Sequence, residues 1–447
     1  MRLYDTATGQ VRPLEVREPG KVAMYVCGPT VYGPPHLGHG RMALVFDTLR
    51  RYLVWAGNDV TFVSNITDID DKIIERAQRE GRDWQDITAR CEDVWYRAMD
   101  ALGVMRPDHD PHATAYVGRM VELIGELVDR GLAYETGDGV YFSSEGVADY
   151  GLLAPGPLES LRAGARVEAV EEKRSPFDFV LWKKAKPGEP TWDSPWGPGR
   201  PGWHTECVVM SLDLLGEGFD LHGGGQDLAF PHHENERAQA VADGRRFARH
   251  WVHNGFVEVD GEKMSKSLGN VANLVDLVEA YDPRAYRLLV LRSHYRSPID
   301  VSDAALADVT AALERLDAFA RRTAGVVAEP DGQALDAFRA AMDDDLDSPR
   351  AVALLFDLVR RANVALDAGD EAGAGPLAAA AGEVAGALGL ELHAGGGEVP
   401  AEVLARAAER DAARAARDFA RADALRAELV AEGWVVEDTP SGTVVRR

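Results

Sequence analysis

The stretch KVAMYVCGPTVYGPPHLGHGRMALVFDTLRRYLVWAGNDVTFVS, residues 21–64, decides the fold. Lys21 to Val26 form a short apolar run that ends at Cys27-Gly28-Pro29-Thr30, the pattern of a buried strand entering a loop. From Gly38 to Trp55, the apolar residues Leu44, Val45, Leu49, Leu53 and Val54 recur at helical spacing, and Gly57-Asn58 stops the helix. Residues 60–64 predict a second strand. Strand, helix, strand in that order predicts a parallel pair with a right-handed crossover. The ligand site of such a sheet lies beyond the carboxyl ends of its strands, where Cys27 and the loop to His39 fall.

Within that loop stands Pro35-His36-Leu37-Gly38-His39-Gly40. Two histidines at i and i+3 open a helix whose first N–H groups already favour anions. Gly38 and Gly40 permit close approach of a phosphate, and imidazoles there can donate to a phosphoryl group as charge develops. The chain has neither a GxxxxGK[ST] string nor a GxGxxG opening the first helix, which excludes the P-loop and the dinucleotide fingerprint. The second cationic element is Lys263-Met264-Ser265-Lys266-Ser267. Lys263 and Lys266 are two of only eight lysines, and their placement on a Ser/Gly loop suits clamping of a polyphosphate.

A third constellation has metal-ligand chemistry. Cys27 ends the first strand, Cys207 lies in Trp203-His204-Thr205-Glu206-Cys207, and His232 and Glu236 stand four apart in FPHHENE on a predicted helix starting near Pro231. Two thiolates, an imidazole and a carboxylate make a reasonable zinc site. His233 competes with His232, because it is three residues from Glu236. Cys91, inside a helical stretch, reads as an ordinary core residue.

Composition narrows the class. The chain has 447 residues with 46% hydrophobic content, enough for several cores. No apolar run reaches about 18 residues, so no membrane span is expected, and MRLYDTATGQVRPLEV lacks a signal-peptide h-region. Three cysteines argue against a disulfide scaffold and for a reducing compartment. The formal net charge of −24 by itself argues against a nucleic-acid partner.

The motifs argue otherwise. HLGH near the start and KMSKS later resemble the signature pair of class I aminoacyl-tRNA synthetases, and YVCGPTVY, NITDIDDKI, GWHTEC, DLHGGGQDLAFPHHENE, EKMSKSLGN and DFARADALRAEL are similar to segments of the cysteinyl-tRNA synthetase family. The likeness runs from about residue 20 onward, with small departures at Leu37, Pro34-Pro35 and Thr205. It implies an α/β fold: a Rossmann-like parallel-sheet catalytic domain in two halves, 1–130 and 201–250, with an inserted connective domain at 131–200. A stem-contact region at 251–302 carrying KMSKS, an α-helical bundle at 303–392 and a small mixed α/β anticodon-recognition domain at 398–447 would follow. Within this scheme residues 219–222 and 251–259 read as strands, Ser348-Pro349 as an N-cap and first turn, 401–432 as one long helix, and WVVED with TVVRR as a terminal hairpin.

The resemblance also assigns roles. Zinc, one per chain, would be held by Cys27, Cys207, His232 and Glu236 and would take the substrate thiolate as a further ligand, separating cysteine from serine. His36, His39, Lys263 and Lys266 would be catalytic. ATP, with magnesium, would lie against His36, Gly38, His39, Gly223, Gly224, Gly225 and Lys266. Cysteine would lie against Gly28, Thr30, Trp203, His222 and Asp227. Arg406, Arg410, Arg414, Arg417 and Arg421, spaced 4, 4, 3 and 4, would form one basic stripe for cysteine tRNA. A cytoplasmic monomer without membrane contact is expected. The rival reading is the ligase that joins cysteine to glucosaminyl-inositol in mycothiol synthesis, which shares the adenylation chemistry but needs no anticodon domain.

Overall fold

The computed structural model describes residues 1–158, 172–259, 262–263, 272–394, 400–416, 418–432, 434–439 and 442–446. An N-terminal hairpin, β1 (Arg2–Asp5) and β2 (Gln10–Pro13), precedes β3 (Lys21–Val26), α1 (Leu37–Trp55) and β4 (Asp59–Ser64). Three helices follow, α2 (Asp71–Glu80), α3 (Trp84–Ala101) and α4 (Val117–Asp129). Strands β5 (Ala133–Glu135), β6 (Gly139–Phe142), β7 (Phe179–Lys184) and β8 (Gly199–Pro201) make a separate antiparallel sheet in the order β5-β6-β7-β8. Then come α5 (Trp203–Leu215), β9 (Leu221–Gly225), α6 (Glu234–Ala242) and β10 (Trp251–Asn254).

The main sheet has the order β10-β9-β3-β4, and every neighbouring pair in it is parallel. The strand-helix-strand reading of residues 21–64 is therefore what forms. Two close approaches set the sheet's carboxyl edge. A Cβ on Gly28 would lie 1.7 Å from the Asn65 carbonyl oxygen, and one on Gly223 would lie 2.3 Å from the Phe46 ring. Glycine lets the ends of β3 and β4 meet, and lets β9 lie flush on α1.

Two sequence readings shift here. Gly223, Gly224 and Gly225 belong to β9, paired to Val252–Asn254 of β10, so the strand begins and ends later than 219–222. Residues 251–259 break into two strands, because Gly255 passes too close to the backbone of Arg296 and Ser297 to carry a side chain. After that break β11 (Val257–Val259) joins a second small sheet, β12-β11-β13, with β12 (Glu262–Lys263) and β13 (Ile299–Asp300). Between them stand α7 (Leu274–Ala280) and α8 (Pro283–Leu291).

Helices α9 (Asp303–Arg322), α10 (Gly332–Met342), α11 (Ser348–Asp367) and α12 (Glu371–Ala387) come next. The cap of α11 is Asp347, whose carboxylate accepts from Arg350 N; Ser348 is already helical, one residue past its expected place. Before α11, Asp345 and Leu346 both take positive φ, 57° and 53°. Neither is glycine, so the turn is strained. The Asp345 carboxylate, which accepts from Tyr4 N (2.7 Å), Tyr295 OH (2.8 Å) and Arg296 Nε (2.9 Å), holds it in place.

The chain divides into two compact units, one of residues 1–313 and 328–391, the other of 314–327 and 392–447. In the second, the long helix expected over 401–432 is two, α13 (Ala401–Ala415) and α14 (Phe419–Ala431), with Asp418 capping α14 through Arg421 N. The break lets the two helices fold back on each other around Val403, Ala407 and Leu429. The terminal hairpin forms as read, β14 (Val435–Thr439) against β15 (Gly442–Arg446).

One buried ion pair secures α1. Asp47 Oδ2 lies 2.6 Å from Arg287 Nη1, each side chain 1% exposed, and Asp47 also accepts from Arg51 Nε and Met105 N, both at 2.8 Å. Asp47→Ala would leave the Arg287 guanidinium buried without its counter-charge. It is expected to lower the unfolding free energy by about 3–5 kcal/mol, read by urea denaturation. A loss below about 1 kcal/mol, the size of a surface pair, would show that this pair does not hold α1.

Candidate active site

The ends of three elements and one irregular turn build the site. Cys27 follows β3, Cys207 lies on the second turn of α5, Glu236 on the first turn of α6, and His232 on the π-type turn Ala229–His233 that precedes α6. His232 thus stands just outside the helix predicted to carry it. The cluster nonetheless closes: Cys27 Sγ is 3.7 Å from Cys207 Sγ and 3.5 Å from Glu236 Oε1. His232 Nε2 is 3.7 Å from Cys207 Sγ and 3.1 Å from Glu236 Oε1. A tetrahedral ion with ligands at 2.0–2.3 Å needs ligand atoms about 3.3–3.8 Å apart, close to this spacing. These residues can hold a metal ion.

A second group, Cys27, His222, His233 and Glu236, also lies within reach of one ion. Each of its histidines engages one ring nitrogen, while His222 Nδ1 and His233 Nε2 have no hydrogen-bond partner among the described residues. His222 Nε2 meets Glu236 Oε2 at 2.8 Å, and His233 Nδ1 meets His253 Nε2 at 2.8 Å. His222 therefore orients the carboxylate whose other oxygen faces the thiols. His204 does the same for His232, Nδ1 to Nδ1 at 2.8 Å, which leaves His232 Nε2 for the cluster. Burial pushes both thiols above their usual range, Cys27 far above, and pushes the His232 imidazole far below its own, so at neutral pH without a cation these three groups carry no charge.

Sequence reasoning missed the polar chain behind Cys207. Gly28 N donates to Asn65 Oδ1 (2.9 Å), Asn65 Nδ2 to Thr67 Oγ1 (3.1 Å), and Thr67 Oγ1 to Glu206 Oε2 (2.9 Å). It ties the strand-end loops to α5. Burial raises the Glu206 carboxyl well above its ordinary range. The NITDID and WHTEC strings contained these residues, but only the juxtaposition of β3, β4 and α5 gives them a shared task.

At the other candidate element, His36 caps α1. His36 Nδ1 accepts from His39 N and His39 Nδ1 accepts from His36 N, at 3.4 and 3.2 Å, with the rings stacked 3.6 Å apart. With both Nδ1 atoms accepting, a neutral ring at either position carries its proton on Nε2. Trp203, at the first position of α5, is 37% exposed and stacks on His232 at 3.9 Å. Thr30 is bridged to Thr67, and Asp227 is exposed just past β9. Cys91 is buried on α3 and belongs to neither metal-competent group. Lys266 and Arg417 lie outside the described residues, and Lys263 is placed only as the end of β12.

The arginine stripe does not form as one face, because α13 and α14 are separate helices. Arg410 is 3% exposed and donates to Thr443 Oγ1, Arg406 pairs with Glu432 and Arg421 with Glu409.

The fold is shared with solved aminoacyl-tRNA synthetases. Methionyl-tRNA synthetase of Mycobacterium tuberculosis, solved with methionyl-adenylate, aligns at TM-score 0.61 over 82% of this chain and 89% of its own, with 17% identity. The LeuRS of Agrobacterium radiobacter K84, solved in a ternary complex, aligns at 0.60 over 84% of each chain, with 12% identity. The family described as tRNA synthetases class I (C) catalytic domain matches residues 13–311, and the DALR domain matches 337–393, on helices α10 to α12 rather than on the tail string DALRAEL. Fold and site define an aminoacyl-tRNA synthetase of class I, a ligase. Cysteine–tRNA ligases of Thioalkalivibrio sulfidiphilus (49% identical over the whole of both chains) and Ralstonia nicotianae (50% identical over 99% of this chain and 98% of that one) are full-length relatives. The chain belongs to the cysteine–tRNA ligase family.

Cys207→Ser, which removes a soft donor from the cluster, is expected to lower metal content below that of the unmutated chain in metal analysis after dialysis. His222→Ala, which only frees Glu236, is expected to weaken metal affinity by about 10–100-fold. Unchanged metal content in the serine variant would refute the assignment of Cys207.

Proposed function

We propose that the chain activates L-cysteine with ATP and transfers it to the 3′-terminal ribose of cysteine tRNA, at the 2′-OH as the resemblance implies. The observation that carries this reading is the buried group of two thiols, an imidazole and a carboxylate at the carboxyl edge of the sheet that also presents the HLGH turn. The donor set and its spacing fit zinc, held by Cys27, Cys207, His232 and Glu236. Bound there, zinc offers the substrate thiolate a strong bond that a serine hydroxyl cannot match.

The protein's own groups do the rest. Gly28 and Thr30 on the loop after β3, with Trp203, His222 and Asp227, form the amino-acid pocket. The strand glycines Gly223, Gly224 and Gly225 leave backbone open to the nucleotide, and Gly38 does so at the start of α1. His36 and His39 donate Nε2–H to the phosphates as the cysteine carboxylate attacks the α-phosphate, and Lys263 and Lys266, together with magnesium, would stabilise the negative charge that gathers on the leaving pyrophosphate. The second unit takes the tRNA, with Arg406, Arg414, Arg417 and Arg421 the cations for its phosphates; Arg410 is buried and is better read as structural. All four metal-ligating side chains come from one chain, so a monomer suffices. The reduced, buried cysteines suit the cytosol, and among the described residues no helix is long and apolar enough to cross a membrane.

The test is ATP–pyrophosphate exchange. Cysteine should drive it, serine should fall short by about 10⁴-fold or more in kcat/KM, and a chelator should abolish it. Cysteine-independent exchange, or none at all, refutes the reading.

A further inference from the structure

Arg41, the residue after HLGHG, is 1% exposed, and no carboxylate lies within ion-pair distance of it among the described residues. Its guanidinium donates to three main-chain carbonyls: Phe256 O (2.5 Å), Tyr295 O (3.1 Å) and Ser297 O. Its Nε finds no partner among the described residues. Burial pulls the group down to about 10, the sign of a cation held in a place that resists charge. An apolar side chain would fill that space without the desolvation cost, so packing alone does not account for an arginine.

The three carbonyls locate its task. Phe256 is the residue before β11, the strand that leads through β12 to Lys263 and the EKMSKS segment. Tyr295 and Ser297 belong to the segment feeding β13, the other neighbour of β11. Phe256 O also accepts from Ile299 N (3.0 Å), and Tyr295 O from Gly255 N (2.8 Å), so the guanidinium sits on the junction that launches the signature strand. The far end of the segment is fastened to the same turn of α1. Leu37 N donates to Ala272 O (3.2 Å), Leu274 N to Pro35 O (2.9 Å), and Tyr286 OH to Leu37 O (2.7 Å). The chain leaves α1's first turns at Phe256 and returns to them at Ala272. The return is held by two backbone bonds and the Tyr286 hydroxyl, whereas the hydrogen bonds from α1 to the departure, among the described residues, come from the Arg41 side chain.

We propose that Arg41 is a positioning residue for amino-acid activation: by clamping the start of β11, whose partner β12 ends at Lys263, to the HLGH helix, it sets the register in which the histidines and Lys263 meet one triphosphate. This rests on the activity proposed above. A rigid planar fork with several donors can hold carbonyls from two segments at once, which a lysine ammonium on its flexible stem does less well.

The experiment is a double-mutant cycle in the full chain, read by cysteine-dependent ATP–pyrophosphate exchange per titrated active site. Arg41→Met is expected to lower kcat by up to about 100-fold, the scale of a misplacement near one ångström. Arg41→Lys should lose less. KM for cysteine and metal content should stay within about twofold of the unmutated chain, a bound set by ordinary additivity error. In the Arg41→Met background, Lys263→Ala should cost far less than it does alone. Effects that multiply within about twofold, or an unchanged kcat per active site alongside a lower melting temperature, would overturn the proposal and leave Arg41 a stability residue. If Arg41→Met does not fold, Arg41→Lys carries the same cycle with the same criterion. Absence of exchange in the unmutated chain would sink the activity itself, and the proposal with it.

Discussion

Four groups that all bind metals meet in a space closed to solvent, and the rest of the catalytic unit is arranged so that they can. Cys27, Cys207, His232 and Glu236 are each 3% exposed or less. Buried this deeply, the thiols and the imidazole can stay together only while uncharged or around a cation. Each has little freedom left: His222 takes the second oxygen of Glu236, His204 takes the second nitrogen of His232, and Asn65 Oδ1 stands 3.8 Å from Cys207 Sγ. The ends of β3 and β4 must then meet within backbone contact, and β9 must lie flush on the Phe46 ring of α1, which is why Gly28 and Gly223 stand where a Cβ would collide.

The local patterns carried the outline. The apolar run 21–26, the 3.6-residue period after His36 and the β-α-β order were enough for the parallel sheet and for the side on which its site lies. The metal-competent residues stood out because two of only three cysteines fell beside strand ends and polar strings. Decisions made by distant partners were not legible. Near residue 416 the one local sign of a break is Asp418, the cap of α14, and the fold-back itself is fixed by packing around Val403 and Leu429. The break in 251–259 comes from the approach of residues 296 and 297. Arg41 shows the same limit: on an amphipathic helix an arginine reads as a solvent-facing residue, and only the arrival of residues 256, 295 and 297 makes it a buried clamp.

Charge is the other property that composition misreported. An arginine-rich, acidic chain suggests a few basic surfaces set against a repelling background. Several of the arginines are buried instead: Arg41 and Arg287 in the catalytic unit and Arg410 in the second unit, while the more exposed Arg406 and Arg421 face Glu432 and Glu409. A stripe counted from spacing overstates the free positive charge, because spacing says nothing about where the acids of a neighbouring helix will land.

The N-terminal strand has a bearing on how the molecule comes into being. Arg2 N bonds to Asp343 O, Tyr4 N to the Asp345 carboxylate across 341 residues, and Thr6 N to Trp251 O. The metal-competent cluster likewise waits for Glu236, more than two hundred residues after Cys27, with the whole β5–β8 sheet in between. As the chain emerges from the ribosome, its first strand has only its hairpin partner β2, and its first thiol has no cluster partner, until most of the catalytic unit has been made. The strained turn at Asp345 and Leu346 is among the last pieces to close. Chain order thus makes the metal pocket and the N-terminal clasp late events of maturation, completed after synthesis of the sheet that frames them.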